Sequence, residues 1–517
     1  MTQSEPRDLL VLETLTNSLK KELVENRPSK RAFFEPDQQR FARPERTFGV
    51  DEYSSIKPWK DFQQAIFAFS RERNFIVVTD VANFYDFISF KHLRNIISSI
   101  CEVREPLLDL LIFVLNEMSW TPDYMPRSEV GLPQMESNAP RVLANAMLYE
   151  LDRVAEEKAF GEYVRYMDDI DVGVDTIAKA KETVRDIDLT LQSRQLRLNA
   201  SKTKILTRAE AYDHFCIREN RFLDFCSELI ARSGVKAHAP VRRALAKAYL
   251  YWRGKDFRNS RFTRGNGDKI FKYLAKVGGV VGYEIPSVDL ITLIKLHPSL
   301  RLTAFTSLSR QNHPNAELYQ IRKMFEDQVF LDDFSVILTA KFCIHARFRA
   351  DTRLKREIRQ LIHFFEAMKT EYATYAALII GSKFLDATEL TDLVSRTFDR
   401  WKDSFWLGRT VGGLTPICGS GAATSHTFFT LLQKADNRSA LEVYGFHMQL
   451  QTDRSRALRL LKYATAPNDS YAQGIIHPKA LIIKSLSLNS SFTAETKKIV
   501  AAQPALRSDP FYRLWGL

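Results

Sequence analysis

The sequence predicts a mixed α/β amino-terminal domain, residues 1–230, followed by a large all-α domain, residues 231–517. Two observations carry this expectation. Up to about Ile205, helical stretches are interrupted by short apolar runs of strand type, whereas beyond about residue 230 only helical periodicity remains. Length agrees, because 517 residues exceed what one hydrophobic core ordinarily serves. With 45% hydrophobic and 26% charged residues, the chain is neither a disordered polymer, nor a collagen-like fibre, nor a small disulfide scaffold.

The strand-like runs are Phe75 to Val78, Tyr163 to Tyr166 and Ile170 to Val174. The last two flank a tight polar turn and read as a hairpin. Ile177, Ala180, Val184, Ile187 and Leu191 follow at spacings of three and four, which is an amphipathic helix. In the second half, Leu354, Ile358, Leu361, Ile362, Phe365 and Met368 form one helical stripe. Leu390, Leu393, Val394, Phe398 and Trp401 form another. Breaks are expected near Gly381, between Gly412 and Gly421, and around Pro467-Asn468-Asp469. No sequence motif recurs cleanly. A helical-repeat array of stacked pairs is the expected arrangement, and an irregular bundle would leave the same pattern. Gly419-Ser420-Gly421 follows no strand and lacks a P-loop lysine, so it reads as an inter-helix loop.

The formal net charge is +12, which points to polyanionic partners. Five scattered cysteines (Cys101, Cys216, Cys226, Cys343, Cys418) contain no CxxC pair and suit a reducing cytoplasm. The start, Met1 to Pro6, has neither the basic residues nor the apolar stretch of a signal peptide. The most apolar early run, Leu107 to Leu115, carries Asp109 and falls well short of the ~20 residues of a spanning helix. A soluble, cytoplasmic protein without a membrane partner is expected.

Three segments carry the chemistry. An apolar strand, Val77-Val78-Thr79, delivers Asp80 at its carboxyl end, and Tyr85 follows five residues later. Gly131-Leu132-Pro133-Gln134 leads through Pro140 into a helical run containing Asn145. Tyr166-Met167-Asp168-Asp169 occupies the hairpin turn. Joining a hydroxyl to a nucleoside triphosphate develops negative charge on the attacking oxygen, the phosphoryl oxygens and the leaving pyrophosphate. Two hard divalent ions about 3.5–4 Å apart stabilise all three and prefer carboxylate oxygens. Asp80 and Asp168 are the expected bridging metal ligands and Asp169 supports them, as catalytic residues holding two Mg²⁺ ions, or Mn²⁺ in their place. Without cations these acids would repel one another.

In these motifs the chain resembles the reverse transcriptases over about residues 70–206. The resemblance implies a fingers–palm domain in which Asp80 and Tyr85 belong to the first palm motif, Gly131 to Gln134 to the second and Tyr166 to Asp169 to the third. Leu196 to Thr203 resembles the next, whose lysine, here Lys202, lies near the incoming triphosphate. Tyr85, Gln134 and Lys202 are then nucleotide-binding residues. A bulky ring at Tyr85 would also exclude a ribose 2′-hydroxyl by crowding. One stretch departs from the family. Templated enzymes usually follow the second motif with a glycine and a Ser-Pro-type turn, but here Met135-Glu136-Ser137-Asn138-Ala139-Pro140 follows, and Glu136 would repel a phosphate backbone.

That departure, together with residues 231–517 in place of a short thumb, resembles the bacterial abortive-infection reverse transcriptases, the group of AbiK, AbiA and the related protein of P2-type prophages. The resemblance implies antiphage defence, untemplated DNA synthesis from dNTPs, priming from a protein tyrosine, a single-stranded DNA product and homo-oligomers, trimeric or hexameric. Tyr53, the only tyrosine before the first motif, and Tyr124, in the loop before Gly131, are the priming candidates. A templated, retron-like polymerase and a non-catalytic nucleic-acid-binding toxin are the alternative readings.

Between Arg242 and Lys276, eleven cations interleave with Tyr249, Tyr251, Trp252, Phe257, Phe262, Phe271 and Tyr273. Cations track phosphates and ring faces stack bases, so the stretch reads either as a path for single-stranded DNA or as a solvated basic helix whose rings pack inward.

Overall fold

Burial of both faces of a small antiparallel sheet organises the first part of the chain. The computed structural model describes residues 5–34, 56–119, 129–134, 137–158, 162–419, 421–465, 477–503, 506 and 509–515. The strands are β1 (Phe75–Thr79), β2 (Glu162–Tyr166), β3 (Asp169–Val174) and β4 (Lys204–Thr207), in the order β2-β3-β1-β4. The helices around them are α1 (Pro6–Glu25), α2 (Ile56–Glu72), α3 (Phe90–Ile100), α4 (Glu105–Met118), α5 (Ala139–Met147), α6 (Tyr149–Glu157), α7 (Ile177–Gln192) and α8 (Arg208–His214). Val77, Ile170, Val172 and Val174 share one core with Leu12 of α1, Leu93 of α3, Leu111 of α4 and Leu143 of α5. Ile76 and Val164 share a second with Phe62, Ile66 and Phe69 of α2 and Ala211 of α8. A sheet covered on both faces favours a continuous apolar run, which is how β1 (Phe75-Ile76-Val77-Val78-Thr79) reads, whereas β3 alternates, with Ile170, Val172 and Val174 on one face and Asp169, Asp171 and Gly173 between them.

Local signals start and stop the flanking helices. Thr176 caps α7 by accepting from the Lys179 amide, and Thr207 with Glu210 forms a capping box at α8. β4 was not foreseen. It has four residues, both ends are exposed, and it is recruited by pairing with β1, Phe75 against Thr207.

The chain divides into two compact units, Met1–Arg218 and Glu219–Leu517, and the expected division after residue 230 falls inside the helix Ile217–Ser233. Among its described residues the second unit contains helices and no strand. Its helices pack on near neighbours in sequence: Glu371–Phe384 against both Asp333–His345 and Thr352–Met368, and Phe405–Gly413 against Arg438–Thr452. Gly381 is no break. It lies within Glu371–Phe384, where a Cβ would stand 3.0 Å from Leu393 and 3.3 Å from Leu390, so it serves close helix packing. Pro467, Asn468 and Asp469 lie outside the described residues. Among the described residues no helix is long and apolar enough to cross a membrane.

Trp401 is fully buried, and its indole N–H donates to the Val394 carbonyl at 2.9 Å. Trp401→Ala should therefore cost about 3–5 kcal/mol, read as a lower urea midpoint at unchanged slope.

Candidate active site at one end of the sheet

Asp80 directly follows β1 and is 6% exposed. The segment 197–203 runs beside it. Asn199 N–H donates to the Asp80 carbonyl at 2.9 Å, Ala82 N–H donates to the Arg197 carbonyl at 2.9 Å, and Val81 bridges Leu198. The Thr79 and Thr203 hydroxyls are 2.7 Å apart. This antiparallel course carries Lys202 to the site, where its Nζ donates to Asp80 Oδ2 at 2.5 Å although two-thirds of the side chain is exposed. The Asp80 hydrogen bond, then the charges of Asp80, Asp169 and Asp168, raise the Lys202 pKa.

Register brings the turn to the same place. β1 and β3 are paired as far as Thr79–Ile170, so Asp80 and Asp169 stand one step beyond the last pair. Across the hairpin Tyr166 pairs with Asp169, leaving Met167 and Asp168 as the two-residue loop. Met167 has φ 56°, a left-handed conformation that costs a residue other than glycine about 1–3 kcal/mol and is typical of functional turns. Burial, followed by the charges of Asp169 and Asp80, raises the Asp168 pKa.

Tyr85 lies in a short 3₁₀ turn, Tyr85–Phe87, with its ring centroid 5.6 Å from that of Phe84. The second motif is tied to this turn, since Leu132 N–H donates to the Tyr85 carbonyl at 2.8 Å and Gly131 N–H to the Ile88 carbonyl at 2.9 Å. Gly131 has φ 105°, open to glycine and strained for other residues. Burial pushes the Tyr85 phenol up to about 12; the nearby Arg141 guanidinium opposes the rise and Asp168 adds to it. The Tyr85 phenol thus lies within electrostatic reach of Asp168. Gln134 is exposed, and Asn145 is buried on α5. Tyr53, Tyr124, Met135 and Glu136 lie outside the described residues.

Sequence reasoning missed two arginines here. Arg141, on α5, hydrogen-bonds Tyr85 and lies 5.7 Å over the Phe34 ring. Arg165, on β2, is wholly buried beneath the turn. A charged residue inside an apolar strand was the available signal, since a buried charge requires partners.

The donor chemistry suits a hard cation. All three acids offer oxygen, and Asp80 Oδ1 is a buried acceptor without a hydrogen-bond partner. Among the described residues no three His, Cys, Asp or Glu side chains close into one ligand cluster. Lys202 instead supplies the positive charge nearest Asp80.

The basic stretch is resolved by burial. Tyr249, Trp252, Phe257, Phe262 and Phe271 are core residues, and Tyr273 hydrogen-bonds Asp224 and Ser227. Of the seven rings only Tyr251 is exposed, at 85%, on the helix His238–Arg253 beside the exposed Arg242, Arg243, Lys247 and Leu250. A continuous ladder of base-stacking rings is therefore not formed.

The reverse transcriptase (RNA-dependent DNA polymerase) family matches residues 12–263. No curated protein matches the chain. Residues 12–263 are a reverse transcriptase domain, and the chain is a nucleotidyltransferase. The match passes through β1, the hairpin and the segment beside Asp80, and it extends into the second compact unit.

Because the Asp168 pKa is raised in the folded state, the stability this group confers is present below the ordinary carboxyl value of 3.8 and is lost as pH rises through the higher folded value. In chelator, Asp168→Asn should accordingly raise the thermal midpoint by a few degrees at pH 7. The difference should shrink as pH is lowered toward 3.8, as followed by scanning calorimetry.

Proposed function

We propose that this chain is an abortive-infection DNA polymerase of reverse-transcriptase type that joins deoxynucleotides without a template, starts from one of its own tyrosines and acts in antiphage defence. The observation that carries the polymerase reading is the meeting of Asp80 with Asp168 and Asp169 at one sheet end within a reverse transcriptase domain. An acid held where burial and the charges of Asp169 and Asp80 raise its pKa, as Asp168 is, weakens a fold, and a non-catalytic binding protein has no physical need of it.

In this reading Asp80, Asp168 and Asp169 hold the metal. Two Mg²⁺ ions, when bound, supply Lewis-acid stabilisation of the attacking and leaving oxygens. The attacking hydroxyl, a tyrosine phenol first and a 3′-hydroxyl thereafter, loses its proton to solvent and bonds to the α-phosphorus, and the bond to pyrophosphate breaks. Lys202, long-armed and exposed, offers its ammonium to the triphosphate. The Tyr85 ring, backed by the buried Phe84, fills the space a 2′-hydroxyl would need. Untemplated synthesis rests on the stretch Met135 to Pro140, where a glycine and a template-facing turn are replaced by bulk and an acid. Protein priming, a homo-oligomer and the antiphage role rest on the resemblance to the abortive-infection group. Tyr53 and Tyr124 are the priming candidates.

Purified protein with Mg²⁺ and labelled dNTPs should make DNA in the absence of template, and nuclease-trimmed product should carry a nucleotide on a tyrosine peptide by mass spectrometry. Asp80→Asn and Asp168→Asn should each lower incorporation at least about 10³-fold while the protein stays folded, and Asp168→Asn should abolish protection in a phage plaque assay. Protein-free product made only with template would select a templated polymerase instead, and unchanged incorporation by both variants would remove the polymerase assignment. Tyr85→Ala should admit ribonucleotides, measured as a fall in the dNTP-to-rNTP ratio of kcat/KM of roughly 10-fold or more.

A further inference from the structure

The turn that carries Asp168 rests on a buried charge that the proposed chemistry does not use. Arg165 and Asp152 are both 0% exposed, and Tyr163 is 2% exposed. Arg165 Nε donates to Asp152 Oδ1 at 2.8 Å and Nη2 to Oδ2 at 2.5 Å, while the Tyr163 hydroxyl donates to Oδ1 at 2.7 Å. The remaining nitrogen, Nη1, donates to the Met167 carbonyl and to Asn145 Oδ1, each at 2.9 Å. One guanidinium thus joins α6, α5, β2 and the loop.

Stability alone is a weak reason for such a pair, because apolar replacements of buried ion pairs are often neutral or stabilising. Its geometry has a more specific consequence. Met167 is held with φ 56° in a two-residue turn, and the peptide that joins it to Asp168 can still rotate about ψ of Met167 and φ of Asp168 unless its carbonyl is held. A hydrogen bond to the Met167 carbonyl fixes that peptide plane and, with it, the direction from which the Asp168 side chain departs. Only a fork can grip Asp152 with two nitrogens and leave a third for the carbonyl, since a lysine is a single point of charge.

We infer that Arg165, locked by Asp152 and steadied by Asn145, is a positioning residue that sets the Met167–Asp168 peptide and so aims Asp168 at the site shared with Asp80. The inference rests on the polymerase reading.

The test compares wild-type protein with Arg165→Lys and with the double variant Arg165→Met/Asp152→Leu, which removes both charges together. Thermal midpoint, steady-state incorporation of one dNTP and Mn²⁺ affinity by electron paramagnetic resonance are measured on each, with Asp168→Asn as the metal-site control. The double variant should melt within a few degrees of wild type. Its kcat and Mn²⁺ affinity should each fall roughly 10–100-fold, as expected for lost support of a metal ligand, with little change in KM. Arg165→Lys should show the same losses, because it keeps the charge without the fork. Wild-type kcat and Mn²⁺ affinity in either folded variant would overturn the proposal, and so would loss of folding in both, which would make the network a requirement of the fold. Should the wild type neither incorporate nucleotide nor bind Mn²⁺ through Asp168, the polymerase reading fails and this inference with it. Failure of the variants alone to lose activity leaves that reading intact.

Discussion

The register of the β1–β3 ladder is the constraint on which the candidate site depends, because it carries Asp80 and the Asp168–Asp169 turn to one end of a small sheet. Asp80 and Asp169 lie one step past the Thr79–Ile170 pair, so every bond of the β1–β3 ladder works to keep like charges close. A slip by one residue would turn Ile170 and Val172 out of the core and carry the acids apart, and burial on both sheet faces forbids it. Opposing charge comes from outside the sheet, through Lys202 on a segment zipped to residues 80–82. Two of the chain's positive-φ residues other than glycine lie here, Asn83 at φ 45° and Met167 at φ 56°. The surrounding packing holds those conformations in place, as is usual where geometry serves chemistry.

Much of this was legible in the sequence. β1 was readable as a continuous apolar run, the hairpin from its aromatic and β-branched residues on either side of a polar two-residue turn, and α7 from its spacing of three and four. The aspartates were readable because their positions relative to those runs are fixed by the chain itself. What escaped depends on long-range pairing. Lys202 was expected near the triphosphate, but its ion pair with Asp80, 122 positions away, was not, because neither residue type announces the other. Arg165 finds Asp152 on a different element, and a charge in a strand says only that some partner exists. β4 is too short and too exposed to write a pattern. Gly381 shows the opposite failure, because a glycine that breaks isolated helices is also the residue that lets two helices approach closely.

The basic stretch shows what composition can and cannot decide. Rings and cations alternate along the helix His238–Arg253 and the turns after it, yet the hydrophobic effect sorts them by side. Tyr249 and Trp252 turn inward, with the Tyr249 hydroxyl on Asp289 at 2.8 Å, while Arg242, Arg243 and Lys247 stay outside. The resulting surface attracts phosphates by charge and offers one exposed phenol, Tyr251, with the apolar Leu250 beside it.

The outer edge of the sheet has a bearing on how the chain is made. Ala32 bridges β2 at Arg165, where Phe33 N–H donates to the Arg165 carbonyl at 2.8 Å and Arg165 N–H to the Arg31 carbonyl at 3.0 Å. The Tyr149 hydroxyl likewise holds the Leu23 carbonyl at the end of α1. On the ribosome, residues 23–33 emerge about 130 residues ahead of the strand they will cover, a wait on the order of ten seconds at ordinary elongation rates. Through that interval the apolar side of α1, with Leu12, Leu19 and Leu23, gains its partners stepwise, Leu93 of α3 first, then Leu111 of α4 and Leu143 of α5, before β2 follows. The strip that closes the edge of β2 is therefore made well before that edge, and slow codons between residues 34 and 165 would lengthen its wait.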